Sequence, residues 1–168
     1  GGILAFIASS GVMDSPANRD IREHLMSSSH LVTAVRFPNT VFEASGTYPV
    51  TDLIILKKDS QKASLTNDEN LFINSVKITL QNSDGKDVEL NVSEFFKENK
   101  DNVYGNFVVG GQYGREALDV ESSDQEDEIS KKLKETLFKV FSKSETVKAP
   151  IKEKPFPEAN PRIITGNP

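Results

Sequence analysis

The sequence opens with an uninterrupted apolar stretch, Ile3 to Ala8, that contains no polar position. A half-exposed strand alternates apolar and polar residues, whereas a strand that is covered on both faces is apolar throughout, as in a parallel sheet. The flanking residues, Gly1-Gly2 and Ser9-Ser10-Gly11, favour a strand over a short helix. The pattern therefore predicts a core strand of an α/β sheet at this point of the chain.

A helix and two further strands are expected after this first strand. Asp14-Ser15-Pro16 has a capping side chain followed by proline, which is typical of a helix start. The apolar positions at helical spacing are Ala17, Ile21 and Leu25. The next strands are expected at 31–37 and 51–57, with a loop between them. This order predicts half of a doubly wound sheet, in which the last two strands pair antiparallel.

Shorter elements are expected beyond Lys58, where the long apolar runs end. Thr66-Asn67-Asp68-Glu69 has the form of a capping box before a short helix. Two alternating stretches on either side of Asp84-Gly85 predict a hairpin over 75–92. Ser93 is in position to cap another short helix. Strands over 103–109 and 117–120, separated by a glycine-rich turn at 110–114, complete this region.

The clearest helix is expected over 123–143, with acidic residues at its start and lysines further on. Its apolar stripe consists of Ile129, Leu133, Leu137, Val140 and Phe141. The Lys-, Pro- and Glu-rich tail over 145–168 has little to bury and is expected to be disordered or extended. We therefore divide the chain into a sheet part over 1–58, an α+β extension over 59–144 and this tail.

Composition restricts the function classes that remain. The 168 residues include no cysteine, which excludes disulfides and thiolate chemistry. Two histidines without partners at ligand spacing make a metal site unexpected. A net charge of -5 provides no overall basic excess for phosphate binding, so any contact with DNA has to be local. No apolar run approaches the roughly 20 residues of a membrane span.

The loop between the second and third strands is the most informative place for a binding site. Phe42 lies on this loop, and Arg36 and Lys57 lie at strand ends that are expected to border it. An aromatic ring there can stack on an extruded base while the cations hold phosphates. Alternatively, Phe42 closes the core from the loop, and the residues alone favour this second interpretation.

Seven short motifs follow one another in a fixed order over the first 58 residues. They are Gly1-Gly2-Ile3-Leu4-Ala5-Phe6-Ile7, Ser15-Pro16, Arg22-Glu23-His24-Leu25-Met26, Leu31-Val32-Thr33-Ala34-Val35-Arg36-Phe37-Pro38-Asn39, Phe42, Gly46-Thr47 and Asp52-Leu53-Ile54-Ile55-Leu56-Lys57-Lys58. In this order they resemble the N6-adenine DNA methyltransferases. The likeness is greatest to methylase–helicase-like proteins of Bacteroides-type mobile elements, whose relatives include type I restriction modification subunits. The resemblance implies a bacterial, cytoplasmic protein.

The resemblance also implies that important parts of the family lie outside this sequence. Members bind S-adenosylmethionine through a glycine-rich loop after the first strand of the sheet. They carry an Asn/Asp-Pro-Pro-Phe/Tyr catalytic motif after the fourth strand, and neither motif occurs here. The chain is thus expected to start at the fifth strand and to form the C-terminal half of a Rossmann-like methyltransferase sheet, followed by the α+β extension. The parent protein would use S-adenosylmethionine, whereas no cofactor and no catalytic residue are expected for this chain alone.

Partners and site positions follow from the same resemblance. DNA is the expected partner through the parent protein, and the DNA-proximal positions are Phe42, Phe37, Arg36, Asn39, Thr47 and Lys57. An alternative function is a non-catalytic binding or assembly module that docks through the C-terminal amphipathic helix. If this helix docks no partner, its apolar stripe is expected to pack on the chain's own hairpin. An open sheet edge at the first strand predicts a homodimer or a covering contact there.

Overall fold

The computed structural model describes residues 1–112 and 114–143, so the tail predicted over 145–168 lies outside the described residues. The described strands are β1 (Ile3–Ser9), β2 (Ser29–Phe37), β3 (Thr51–Lys58), β4 (Ser75–Gln81), β5 (Asp87–Ser93), β6 (Asn106–Gln112) and β7 (Arg115–Glu121). The helices are α1 (Gly11–Asp14), α2 (Arg19–Ser28), α3 (Asn67–Ile73), α4 (Glu94–Glu98) and α5 (Glu126–Ser142). The result is a mixed α/β architecture with small antiparallel sheets and a C-terminal helix.

A three-stranded sheet with the order β1-β3-β2 forms the centre of the molecule. The central strand β3 pairs antiparallel with both neighbours, so β1 and β2 run in the same direction. The predicted antiparallel pairing of the second and third strands is therefore confirmed. Thr51 is opposite Ser9 on one side and Phe37 on the other. The ends of β1 and β2 thus lie beside the start of β3, at one end of the sheet.

The first strand is less covered than its apolar sequence predicts. Ile3, Leu4 and Ile7 each expose more than half of their surface, at 58%, 56% and 56%. Phe6 and Ala8 are the residues of β1 that pack against the main core. The outer edge of β1 has no strand partner among the described residues. A strand is covered on both faces only if chain packs on each of them. The part of the chain that the structure describes packs on one face of β1 and leaves most of the other face exposed.

The central sheet packs against one apolar cluster on each of its two faces. The main core covers one face and combines residues of α2, β3, α3 and α4, including Met26, Ile54, Phe72 and Phe96. The second cluster covers β2 on the other face and consists of Val35, Phe37, Tyr104 and Ile129, with Leu53 and Leu133 against them. Since the main core draws residues from both sides of Lys58, the sheet and the extension share their interior.

The helical segment predicted after Ser15 forms as a 3-10 turn followed by α2, but it buries a different side. The Ser15 hydroxyl accepts a hydrogen bond from the Ala17 N–H at 3.3 Å, at the start of a 3-10 turn that leads into α2. Ile21, predicted to face inward, is 58% exposed, whereas Arg22 and Met26 are buried. Arg22 donates to the carbonyl oxygens of Val12, Ser15 and Ile73 at 2.8–2.9 Å. These backbone acceptors, which periodicity alone does not reveal, satisfy Nε and Nη1, whereas Nη2 is buried without a partner among the described residues.

Most elements of the extension form where the sequence predicts them. The capping box is present, because Thr66 Oγ1 accepts from the Glu69 N–H and Glu69 Oε2 accepts from the Thr66 N–H. The predicted hairpin is β4–β5. The glycine-rich turn begins later than expected, since Gly110 and Gly111 belong to β6.

The C-terminal helix differs from its prediction in its start and in its packing surface. It begins at Glu126, three residues later than expected. Ile129 and Leu133 pack on β2 and on Tyr104, whereas the expected surface was the hairpin. Phe138 remains 74% exposed. The helix thus covers the second face of the central sheet and leaves a groove between its start and the loop after β2.

Candidate functional site

A groove of about 680 Å³ lies beside the end of β2, between the loop after that strand and the start of α5. Its apolar walls come from the sheet, the loop and the helix and consist of Ile7, Phe37, Val41, Phe42, Ile129 and Leu133. This volume falls in the range of small-ligand pockets. The structure therefore brings Phe37 and Phe42, two of the residues singled out in the sequence, to one concave surface.

The polar rim of the groove is acidic. Glu43 from the loop, Asp124 before α5 and Glu126 in its first turn supply the carboxylates. Of the described residues that line the groove, none is a lysine or arginine. Nearby Lys132 forms an ion pair with Asp124. Carboxylates accept hydrogen bonds from amino groups and repel phosphates, so the groove suits a flat apolar group that carries N–H donors.

The helix wall is fixed to the sheet by aromatic packing and one hydrogen bond. The Phe37 and Tyr104 rings meet edge to face, with their centroids 6.0 Å apart. The Tyr104 hydroxyl lies 2.6 Å from Thr136 Oγ1 on α5. Burial raises the pKa of Tyr104, so this hydroxyl stays protonated and able to donate at neutral pH. Thr136 thus connects α5 to Tyr104, and the ring contact of Tyr104 with Phe37 continues this connection to β2.

Asn39 anchors the loop wall at its beginning. Its side-chain amide donates to Asp119 Oδ2 at 3.1 Å, and its backbone N–H donates to the carbonyl oxygen of Val120 at 2.9 Å. Both partners belong to β7, which connects to α5 a few residues later. Asn39 therefore fixes the distance between the loop and the helix that form the groove.

Arg36 is fully buried and lies in an ionic cluster instead of on the groove. Its Nε and Nη2 donate to the two Asp52 carboxylate oxygens at 2.7 and 2.8 Å, and its Nη1 donates to Asp14 at 2.9 Å. The guanidinium also lies 4.5 Å from the centroid of the Phe96 ring. Burial by itself lowers the pKa of Arg36, but the hydrogen bonds and charges of Asp52 and Asp14 outweigh burial and raise it. The cation is thus permanent and directed inward.

The ionic cluster connects three parts of the chain. Asp14 Oδ1 also accepts a hydrogen bond from the Ser93 N–H at 2.8 Å, which joins α1 to the end of β5. Arg36 Nη2 lies 3.4 Å from the carbonyl oxygen of Ser10, directly after β1. The cluster therefore fixes the end of the sheet from which the Phe42 loop departs.

The remaining candidates do not line the groove. Thr47 is exposed on the same loop, one residue beyond Gly46, whose φ of 71° turns the chain. Lys57 is exposed near the opposite end of β3, where it is paired with Ile3 and His30. That position is about 20 Å along the strand from the loop. The expectation that Lys57 borders the Phe42 loop is wrong, because β3 leads away from the loop and not back to it.

A second polar cluster lies at that far end of the sheet. His30 places Nε2 2.8 Å from Asp59 Oδ2 and Nδ1 3.2 Å from Glu69 Oε1, and Lys62 Nζ lies 2.7 Å from Glu69 Oε2. Sequence spacing did not predict this cluster, since its members come from three separate elements. Among the described residues, no group of three or more His, Cys, Asp or Glu side chains is arranged to hold a metal ion. The cluster connects the segment after β3 and α3 to the sheet.

Sequence reasoning also missed the contribution of α5 to the groove. The sequence predicted only that acids lie at the start of this helix, although two of the three rim carboxylates come from this region. The one available signal was the apolar stripe, which included Ile129 and Leu133 but was expected to pack on the hairpin or on a partner and not on β2.

The fold and the groove define a mixed α/β protein with an aromatic, acid-rimmed cleft beside a half-covered sheet. The N-6 DNA Methylase family matches residues 1–137 of the chain. Because this match covers most of the sequence, the chain belongs to the N-6 DNA methylase family. No curated protein and no solved structure matches the chain. Within the described residues, no helix is long and apolar enough to cross a membrane.

Proposed function

We propose that the chain is part of an S-adenosylmethionine-dependent N6-adenine DNA methyltransferase and forms the target-side end of its Rossmann-like sheet. The observation that carries this proposal is the family match over 1–137. The parent protein transfers a methyl group from S-adenosylmethionine to the exocyclic amine of adenine. The ordered motifs between Gly1 and Lys58 support a bacterial, cytoplasmic parent of the type I modification or mobile-element kind.

The groove supports a role next to the target base. Enzymes that modify a base extrude it from the stack and hold it between aromatic or apolar side chains. Phe42 and Phe37 provide such a surface, and Glu43 and Glu126 provide acceptors for an exocyclic amine. Asn39 fixes the loop that carries Phe42, while Arg36 acts through the interior cluster that holds the same end of the sheet.

A nucleoside titration tests this assignment of the groove. Adenosine added to the full chain should shift the amide NMR signals of Thr40 and Ser130, which line the groove. Phe42→Ala should abolish these shifts, because it removes the stacking surface. Ile21→Ala, at an exposed apolar position on α2, is the matched control and should leave them unchanged. Equal shifts in the wild type and in Phe42→Ala would reject the groove as the base site.

We propose further that this chain alone neither binds S-adenosylmethionine nor methylates DNA. Its 168 residues contain no Pro-Pro dipeptide and no glycine-rich loop of the dinucleotide or Walker type. Isothermal titration of the chain with S-adenosylmethionine should therefore give no binding heat. Tight binding would contradict the proposal while leaving membership of the family intact.

A second candidate function is that of an assembly module, through a homodimer at the free edge of β1 or through α5. Three exposed apolar side chains, Ile3, Leu4 and Ile7, favour the edge contact, because they lie on a strand whose outer edge has no partner among the described residues. Light scattering after gel filtration should then show a dimer that Leu4→Lys dissociates. Ile21→Lys, on an equally exposed residue of α2, serves as the control. A monomer at every concentration tested would remove this candidate.

A further inference from the structure

The outer face of α5 carries an unusual group of side chains. Phe138 exposes 74% of its surface, more than any other large apolar residue among those described, and Phe141 exposes 37%. Single exposed apolar residues are common on protein surfaces. Here, however, Lys131, Lys134, Phe138 and Phe141 follow one another at intervals of three and four residues, which places them on one face of the helix. We call these four residues the α5 stripe. It is distinct from the inward-facing side of the helix, which carries Ile129 and Leu133.

The two lysines of the stripe are available for an external anion. Neither Lys131 nor Lys134 forms a salt bridge or side-chain hydrogen bond with any described residue. Lys132, which faces another side of the helix, is by contrast paired with Asp124. Asp127 precedes the stripe by one turn, and Glu135 lies on its flank. The stripe therefore presents unpaired positive charge next to two aromatic rings.

The stripe continues from the groove along the helix. Ser130, one turn before Lys134, lines the groove. At 1.5 Å per residue, Phe138 lies about 12 Å and Phe141 about 16 Å along the axis from Ser130. A strand that leaves the groove can therefore follow α5 past Lys131 and Lys134 to Phe138 and Phe141.

We propose that the α5 stripe binds the nucleic-acid strand next to the base in the groove. Lys131 and Lys134 contact phosphates, and Phe138 and Phe141 contact unstacked bases. This inference rests on the proposed function, and it names the surface that supplies the cations missing from the acidic groove. A single strand is a suitable probe, because aromatic side chains stack on bases only where the bases are not stacked on each other. Charge complementarity also explains how a chain of net charge -5 holds DNA locally.

Fluorescence anisotropy of the full chain with a labelled single-stranded oligonucleotide tests the proposal. Neutralising two phosphates of a single strand contributes about -1.4 to the slope of log affinity against log salt. Lys131→Gln/Lys134→Gln should remove this part of the slope. Phe138→Ser should weaken binding by at least about fivefold, the lower end of the effect of losing one base-stacking contact.

Matched variants decide whether these losses belong to the stripe. Lys86→Gln/Lys100→Gln removes two exposed lysines elsewhere, and Ile21→Ser removes an exposed apolar residue from α2. Both should bind like the wild type. The proposal is overturned if the wild type does not bind single strands, if the controls lose as much as the stripe variants, or if Phe138→Ser instead dissociates a dimer. Binding that depends on Phe42 but not on the stripe would overturn this inference and leave the proposed function standing.

Discussion

The guanidinium of Arg36 lies in the interior between the carboxylates of Asp52 and Asp14. Two ion pairs join it to Asp52 and Asp14, and both Arg36 and the Asp52 side chain have no exposed surface. Such a cluster contributes little net stability over an apolar one, but it becomes costly when one member is lost. The cluster also has a geometric role, because it fixes the end of the sheet beside the groove.

Asp52→Asn should lower the free energy of unfolding by about 3–5 kcal/mol, because it leaves the buried Arg36 cation with one carboxylate fewer. Urea denaturation at neutral pH measures the change. Glu23→Gln breaks the Arg19–Glu23 pair, whose side chains are 49% and 57% exposed, and should cost less than about 1 kcal/mol. Similar losses in the two variants would show that burial does not set the cost.

Glu69 makes the stability of the far end of the sheet depend on pH. Burial by itself raises the pKa of Glu69, but hydrogen bonds from Lys62, the Thr66 and Leu31 backbone N–H groups and His30 outweigh it. Together they lower the pKa below its ordinary value of 4.5. A carboxyl whose pKa is lower in the folded state stabilises fully above its unfolded pKa. That contribution is lost as the pH falls through the folded pKa.

The urea concentration at the unfolding midpoint of the wild type should therefore decrease when the pH is lowered from neutral to below 4.5. Glu69→Gln removes the titrating group, so its midpoint should fall by less over the same interval. Circular dichroism at the two pH values gives both midpoints. The same decrease in both proteins would assign the acid sensitivity to other carboxyls.

At the scale of elements, local sequence signals fixed where most helices and strands begin. The Thr66 capping box and the β4–β5 hairpin form at the predicted positions, because their hydrogen bonds join residues only a few positions apart. Ser93 looks like an equivalent cap but makes no cap hydrogen bond at the start of α4. Its hydroxyl is buried without a partner among the described residues.

Thr66→Ala and Ser93→Ala should consequently have different effects. The first removes a cap bond and should cost about 0.5–2 kcal/mol of stability. The second removes a buried hydroxyl that has no partner, so stability should stay the same or rise slightly. Thermal unfolding of the two variants under identical conditions gives the comparison. A large loss in Ser93→Ala would mean that its hydroxyl is hydrogen-bonded in solution.

At the scale of the whole molecule, the sheet and the extension share one interior. The main core combines Met26 and Ile54 from the first part with Phe72 and Phe96 from the second. Arg22 to Ile73 and Asp14 to Ser93 are buried hydrogen bonds between the same two parts. We propose on these grounds that residues 1–58 and the extension form one folding unit.

Unfolding by urea should accordingly show one transition, with the same midpoint by far-ultraviolet circular dichroism and by tyrosine fluorescence. A peptide of residues 1–58 should remain unfolded alone, because it would expose the face of β3 that the extension covers. Two separate transitions would restore the division at Lys58 that the sequence suggests.

The sequence by itself determined the strands around Ile3, Ala34 and Ile54, the capped helices and the family, because these depend on short-range patterns and ordered motifs. Tertiary structure alone decided that Arg36 lies inside and that β3, not β1, is the central strand. The first outcome depends on the register of β2 on β3, which places Arg36 opposite Asp52, and the second on the pairing of β3 with β1, which is distant in sequence. Local periodicity carries no information on such pairing, since it is the whole core that selects the partner and the register.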